Sequence, residues 1–405
     1  GETLTNVAYC NAEDANTAIA TSRATFESGV WSRMAPTDRK MILVRWAELI
    51  EKHSDEIALL ETLDVGKPIS DTLNVDVGSA VRTIRWSGEA IDKIYDEITP
   101  TSSDCLALVT REALGVVAAI VPWNFPLSTT AWKLAPSLAT GNSVILKPAS
   151  NTPLSALRIA DLAAEAGLPD GVLNVLPGSG GSLGQHLATH MDIDGMTFTG
   201  STPVGKQLME YSGQSNLKRT FLELGGKSPN IVFADANLEK AASSAALAVY
   251  WNGGQTCTAG TRLIVEESIL DDFMARVIEE SKAWMPGDPM DPATVMGPMI
   301  DAAQCKTVCD YVAIGQEEGA ELVFGGATTM ESTGGHYHEP TIFTGVNNDM
   351  RIAQEEVFGP VLSVIPFKDD EEAISIGNDV IYGLAAGVWT QNIGRAISMA
   401  GKLQA

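Results

Sequence analysis

Residues 115–126, Gly115-Val-Val-Ala-Ala-Ile-Val-Pro-Trp-Asn-Phe-Pro126, decide the fold. An unbroken apolar run ends in a proline turn, and an amphipathic stretch, Ser128–Thr140, follows it. A short run of this kind between turn residues marks a strand buried on both faces, as in a parallel sheet. The unit then repeats as Ser143–Leu146 with Pro153–Ala166, Val172–Leu176 with Ser182–His190, and Gly195–Phe198 with Thr202–Tyr211. Strands alternating with helices require right-handed crossovers, and the expected result is a doubly wound, Rossmann-like parallel sheet that binds a nucleotide.

Upstream, Asn11-Ala-Glu-Asp14 reads as a helix start. Thr37 opens a second helix running to a stop at Gly66-Lys-Pro68, and Ser70–Ile94 reads as a third. Pro100-Thr-Ser-Ser-Asp104 and the strand-like Cys105–Arg111 suggest a projecting β-hairpin arm. Downstream, a second α/β unit begins near Ile231. Its expected helices are Asn237–Trp251, Ile269–Trp284 and Ala302–Glu318, and its expected strands are Arg262–Val265, Glu321–Phe324, Thr341–Phe343 and Val361–Pro366.

A chain of 405 residues is too long for one core, so two or more domains are expected. No apolar run is long enough to span a bilayer, and the first residues carry no charged-then-apolar leader pattern. A net charge of −24 opposes phosphate backbones and anionic membranes, which makes nucleic acid and membrane unlikely partners. Cysteines at 10, 105, 257, 305 and 309 form no disulfide framework and point to a reducing, cytoplasmic setting. Cys305 and Cys309 are one helical turn apart, yet no further ligand residues accompany them, so no metal is expected. His336-Tyr-His338 reads as a surface turn before Pro340.

Chemistry concentrates in two stretches, Phe221-Leu-Glu-Leu-Gly-Gly-Lys-Ser-Pro229 and Tyr250-Trp-Asn-Gly-Gly-Gln-Thr-Cys-Thr-Ala-Gly260. Most cysteines are buried and inert. Cys257, however, is set among glycines that let backbone N–H groups approach a thiolate and any oxyanion it creates. Glu223 is the candidate base. Gly178-Ser-Gly-Gly-Ser-Leu-Gly184 tempts a dinucleotide reading, but its spacing is one residue too long. Phe198-Thr-Gly-Ser201 before a helix suits a pyrophosphate or is a simple turn. Lys147, at the end of a buried strand, needs a partner such as a ribose or phosphate. Asn124 either donates to an oxyanion or caps a turn.

Together these stretches resemble the aldehyde dehydrogenase superfamily. Pro122-Trp-Asn-Phe-Pro126, Leu146-Lys-Pro148, Phe198-Thr-Gly-Ser201, Glu223-Leu-Gly-Gly-Lys-Ser-Pro229, Gly254-Gln-Thr-Cys257 and Glu355-Glu-Val-Phe-Gly-Pro360 stand in that family's order across the whole chain. The resemblance implies a cofactor domain at residues 1–96 and 113–225, an oligomerisation hairpin at 97–112, and a catalytic domain at 226–405 that is truncated at its C-terminus relative to the family. It implies NAD or NADP as cofactor and a homodimer or homotetramer. Cys257 would attack the aldehyde, Asn124 would hold the oxyanion of the thiohemiacetal, and Glu223 would activate water to hydrolyse the thioester. Lys147 would hold the adenosine ribose, and Gly180 and Gly184 would border adenine. Ser201 would meet the pyrophosphate, and Glu356 with Phe358 would hold the nicotinamide ribose. Ile120, Trp123, Phe198, Gly200 and Leu224 would line the cofactor.

Ser150 stands where many NAD-preferring members carry a glutamate that repels a 2′-phosphate, so NADP use is expected. Stretches such as Lys147-Pro-Ala-Ser-Asn-Thr-Pro-Leu-Ser155 are most similar to the gamma-glutamyl-gamma-aminobutyraldehyde dehydrogenases of putrescine (polyamine) breakdown. Asp76, on a helix expected near the substrate mouth, is a candidate for attracting an amino-aldehyde, against the alternative of a solvated carboxylate. Other readings are a succinate-semialdehyde or betaine-aldehyde type enzyme, a cysteine hydrolase, which lacks a histidine near Cys257 or Glu223, and a catalytically silent scaffold.

Overall fold

The structure, a computed structural model, describes residues 3–405, so the first two residues of the expected cofactor domain lie outside it. The fold is α/β, and the chain divides into two compact units. The first comprises residues 3–65 with Ser70–Glu223, and the second Gly66–Ile69 with Leu224–Ala405.

Five parallel strands form the sheet of the first unit, in the order Leu173–Val175, Ser143–Lys147, Val116–Ile120, Gly195–Thr199, Arg219–Glu223. Val116–Ile120 and Ser143–Lys147 are buried at every position, which is why their sequences read as continuous apolar runs. The chain lays down strands outward from Val116–Ile120 in one direction, then returns to its other side with Gly195–Thr199. The switch point of the sheet therefore falls between these two neighbours, and ligands in such sheets bind beyond the carboxyl ends of the strands there.

The helices support this sheet. Asn11 closes a capping box with Asp14 at the head of Ala12–Ser28. Trp31 and Trp46 are fully buried and satisfy their indole N–H groups on the Leu138 and Ile159 carbonyls at 3.0 and 2.7 Å. The helix expected from Thr37 to Gly66 is two, Pro36–Lys52 and Ser54–Val65, because the backbone of His53 leaves the helical region and its N–H caps the first of them. The third expected helix is composite. A π-helical turn, Thr72–Val77, separates Ile69–Asp71 from Gly78–Ala90. The hairpin is present as Glu97–Thr99 antiparallel to Ala107–Val109.

The second unit holds a six-stranded mixed sheet in the order Glu321–Phe324, Thr341–Thr344, Val361–Phe367, Arg262–Glu266, Pro229–Val232, Gly387–Trp389. Only the first pairing is antiparallel. A core of Val232, Ala245, Val249, Leu263, Phe273, Leu362 and their neighbours packs helix Leu238–Tyr250 onto this sheet. His336-Tyr-His338 is not a surface turn. Tyr337 and His338 pair with Thr328–Thr329 and are buried, and burial pushes the His338 imidazole below its usual range. Among the described residues no helix is long and apolar enough to cross a membrane.

Candidate active site

In the first unit, the residues singled out from sequence gather along the carboxyl edge of the parallel sheet. Ile120 lies in register with Lys147 on one side and Phe198 on the other, and Thr199 with Glu223. Trp123 and Asn124 follow the first of these strands, and Asn124 is only 4% exposed. Lys147 is buried, and its Nζ donates to the carbonyl of its own neighbour Pro148 at 2.9 Å. Desolvation brings this ammonium down to about 8. A strand-end lysine held out of water and satisfied only locally is suited to a ribose or phosphate oxygen.

Ser150, three residues beyond Lys147 at the strand's end, donates to the Gly178 carbonyl at 2.9 Å and so joins the lysine loop to the glycine-rich loop. Within that loop Gly180 borders open space, while a Cβ at Gly184 would sit in ordinary contact with Ile120. Gly200 is tighter. Its N–H donates to the Glu223 carbonyl at 3.1 Å, and a Cβ there would come within 2.5 Å of the Phe198 ring. Ser201 is the N-cap of helix Thr202–Gln214, yet its hydroxyl makes no capping bond. A buried cation, an exposed helix N-terminus and close-approach glycines on one sheet edge make a donor set that fits a dinucleotide.

Glu223 ends the edge strand and is exposed. Lys133, on helix Pro126–Ala139, escaped the sequence reading. It is buried, its Nζ donates to Thr197 Oγ1 at 3.1 Å, and burial lowers it to about 8 against the opposing charge of Glu223. The one signal in sequence was a lysine between Trp132 and Leu134 on an otherwise uncharged helix. Asp76 is fully buried on the π-helical turn and accepts from Ser128 Oγ at 3.1 Å, so it is not a solvated carboxylate.

The second unit gathers the cysteine stretch. After helix Leu238–Tyr250, three consecutive residues, Asn252, Gly253 and Gly254, take left-handed backbone angles (φ 53°, 63° and 72°). That turn is costly for residues with a Cβ, and here only Asn252 bears one. Asn252 and Gln255 are both buried, and Gln255 braces the turn by donating to the Asn252 carbonyl at 3.0 Å and accepting the Ile300 N–H at 2.9 Å. A Cβ at Gly254 would overlap the Gly359 carbonyl and lie 2.7 Å from Pro360 N.

Cys257 emerges from this turn partly buried and not disulfide-bonded. A Cβ at Gly226 would overlap the Cys257 carbonyl oxygen, and one at Gly225 would overlap the Glu356 carboxylate. The two glycines after Leu224 are therefore the space in which the cysteine backbone and Glu356 fit. Gly226 N–H donates to Glu356 Oε1 at 3.2 Å, and burial raises the Glu356 carboxyl above its usual range. Phe358 holds a positive φ of 57°, fixed by Gln304 Nε2 donating to its carbonyl at 2.8 Å. Among the described residues no group of three or more His, Cys, Asp or Glu is gathered to hold a metal.

A profile of the aldehyde dehydrogenase family matches residues 1–405. The NADP/NAD-dependent aldehyde dehydrogenase PuuC of Escherichia coli K12 is 50% identical over 403 residues, covering 99% of this chain and 81% of that protein. The crystal structure of gamma-glutamyl-gamma-aminobutyraldehyde dehydrogenase from Burkholderia cenocepacia superposes with a TM-score of 0.98 at 51% identity, over 100% of this chain and 82% of that one. An indole-3-acetaldehyde dehydrogenase crystallised with NAD+ superposes with a TM-score of 0.99 at 59% identity, again over 100% and 82%.

Proposed function

The chain belongs to the aldehyde dehydrogenase family and oxidises an aldehyde with NAD or NADP, and from that premise we propose how its residues divide the reaction and which aldehyde it takes. The Cys257 thiolate adds to the carbonyl carbon. The Asn124 amide and the Cys257 backbone N–H stabilise the resulting oxyanion. NAD(P), when bound, would supply the hydride acceptor, and loss of hydride from that carbon would leave a thioester on Cys257. Glu223 then takes a proton from water, the water attacks the thioester, and the acid departs with the thiolate restored. Lys133, buried beside the charge of Glu223, belongs to the surroundings of that base.

For the cofactor, Lys147 and Ser150 hold the adenosine ribose side, and Gly180 and Gly184 border adenine. Ser201 and Gly200 meet the pyrophosphate. Ile120, Trp123, Phe198 and Leu224 would line the cofactor, and Glu356 and Phe358 would hold the nicotinamide ribose. In domain terms, residues 1–96 and 113–225 bind cofactor, 226–405 carry the nucleophile, and 97–112 are the arm of a homodimer or homotetramer, in keeping with exposed Ile98, Leu108 and Val109. Five free cysteines suit a cytoplasmic setting.

The observation that carries the catalytic reading is the packing of the Cys257 backbone onto Gly226 beside Glu356, on a turn that few sequences can form. For the substrate, the likeness to PuuC and to the Burkholderia enzyme supports an ω-amino or gamma-glutamylamino aldehyde. The 59% identity to an indole-3-acetaldehyde dehydrogenase supports an aromatic aldehyde as the second reading. A panel of gamma-glutamylamino, amino, indole, betaine and succinate semialdehydes decides between them by kcat/KM. Asp76→Ala is expected to raise KM for the amino-aldehydes and not for neutral ones, and equal, unchanged values remove that role.

A further inference from the structure

Helix Ser54–Val65 has no part in the reaction as described, yet two of its carboxylates hold the heads of two other helices. Glu61 is fully buried, and its Oε1 accepts the Leu127 N–H at 3.1 Å. Asp64 Oδ2 accepts the Leu154 N–H at 2.7 Å. The two acids are three residues apart, so they share one face of their helix. Leu127 and Leu154 stand in the first turns of Pro126–Ala139 and Leu154–Glu165, and the N-cap residue of neither helix makes a side-chain capping bond. A first-turn N–H has no partner within its own helix, and leaving it unsatisfied away from water is costly. Both caps therefore come from a third helix.

What precedes each capped helix is a stretch of the candidate site. Three residues before Leu127 is Asn124, buried at the end of its proline turn. Phe125, between them, is tied to the same helix, because its carbonyl accepts the Thr129 N–H at 2.9 Å and the Thr129 hydroxyl at 2.7 Å. Seven residues before Leu154 is Lys147, at the end of its strand, with Ser150 on the way. That loop has little slack. Pro148 and Pro153 fix their φ, and the Thr152 N–H turns back onto the Ala149 carbonyl at 3.3 Å. The points from which Asn124 and Lys147 extend are thus set by where the two helix heads are held.

We propose that Glu61 and Asp64 are positioning residues on one brace, Glu61 fixing the Asn124 amide for the oxyanion and Asp64 fixing the Lys147–Ser150 loop for the adenosine ribose. In this role neither carboxylate touches substrate or cofactor. The inference rests on the roles read above for Asn124 and Lys147, which N124A and K147M test separately. Each helix keeps a second attachment when its cap is removed: Ser128 Oγ still donates to Asp76 at 3.1 Å, and Arg158 still pairs with Glu56 at 2.7 Å.

Two quantities are measured with the purified enzyme: kcat/KM for the best aldehyde of the panel at saturating NAD, and the Kd of ADP, which carries only the adenosine side of the cofactor. The proteins compared are the wild type, E61M, E61Q, D64L, D64N, N124A, K147M and E61M/N124A. E61M lowers kcat/KM about tenfold, a part of the roughly hundredfold that loss of an oxyanion donor costs in N124A, and leaves ADP within about twofold. D64L weakens ADP about fivefold and leaves kcat/KM within about twofold. E61Q and D64N keep an acceptor for the N–H and bring both quantities back to within about twofold of wild type. E61M/N124A shows the loss of N124A alone, since Glu61 acts through Asn124. Equal effects of E61M and D64L on both quantities, or a further loss in the double variant as large as that of E61M, show that the helix serves stability only and overturn the inference. Wild-type kcat/KM in E61M, or wild-type ADP binding in D64L, overturns it as well. An unimpaired N124A or K147M overturns instead the reading of that residue. Should E61M or D64L fail to fold, E61D and D64S, whose acceptors are set back by one bond, decide through the same crossed pattern at about threefold.

Discussion

Replacing Gly226 by alanine asks the most of the account. The backbone of Gly226 is not in the left-handed region, so an alanine there suffers no conformational penalty and the effect is purely steric. Its Cβ would overlap the Cys257 carbonyl oxygen and lie 3.3 Å from Leu384 Cβ, whereas ordinary contact begins at 3.4 Å. Leu384 can yield by a tenth or so, but the carbonyl belongs to the backbone of the nucleophile and must retreat by about 1 Å. A displacement of that size at a reacting group costs about a hundredfold in rate, or ~2.7 kcal/mol of barrier. The same shift disturbs the Gly226 N–H that holds Glu356 at 3.2 Å, so KM for NAD rises as well. The assay is steady-state NADH formation with the best aldehyde of the panel, beside a thermal melt. Gly213→Ala is the control, since that helix residue lies outside the site and a Cβ there meets nothing within 4 Å. Should Gly226→Ala keep kcat within about threefold of wild type, Cys257 does not depend on that packing and the reasoning fails.

Lys147→Met is expected to raise the melting temperature of the cofactor-free protein at neutral pH while weakening NAD binding. The folded state holds the lysine at about 8 against an ordinary 10.5, a cost of about 3 kcal/mol that is complete at pH 7 and disappears as pH rises from 8 towards 10.5. Melts of both proteins across that range check it. Ser150→Glu is expected to abolish NADP use and spare NAD, because a carboxylate there repels a 2′-phosphate; equal NADP kinetics in the variant refute this. Asp64 caps helix Leu154–Glu165 through the Leu154 N–H at 2.7 Å, and burial raises it to about 6 from 3.8. The contribution of Asp64 to stability therefore falls as pH rises from about 4 to 6, and Asp64→Asn, which keeps the acceptor, is about 3 kcal/mol more stable above pH 6 and no different below pH 4, as read by urea unfolding.

The strands that carry most of the site were legible because they are buried on both faces. Val116–Ile120 and Ser143–Lys147 have no polar alternation to confuse with a helix or a surface strand. Arg219–Glu223 escaped assignment for the opposite reason: it is the sheet's edge, its residues alternate between exposed and half-buried, and its phenylalanine is on the open side. Glycines 253 and 254 announced an unusual backbone, but nothing in an asparagine announces that it will share their left-handed turn. Lys133, Lys227 and His338 were missed or misread because their burial is decided by elements far away in the chain, while local sequence marks such residues as surface. The break at His53 was hidden by apolar positions that continue at helical spacing across it.

The central claim is that Cys257 and Glu223 act in succession, one forming the thioester and the other releasing it. Glu223→Gln tests it most directly when mixed with NAD and aldehyde, with NADH followed through the first turnover and the protein then weighed intact. The account predicts a burst of one NADH per active site, little turnover afterwards, and a mass increase of one acyl group that Cys257→Ser does not show. Steady turnover at the wild-type rate with no acylated protein would contradict it.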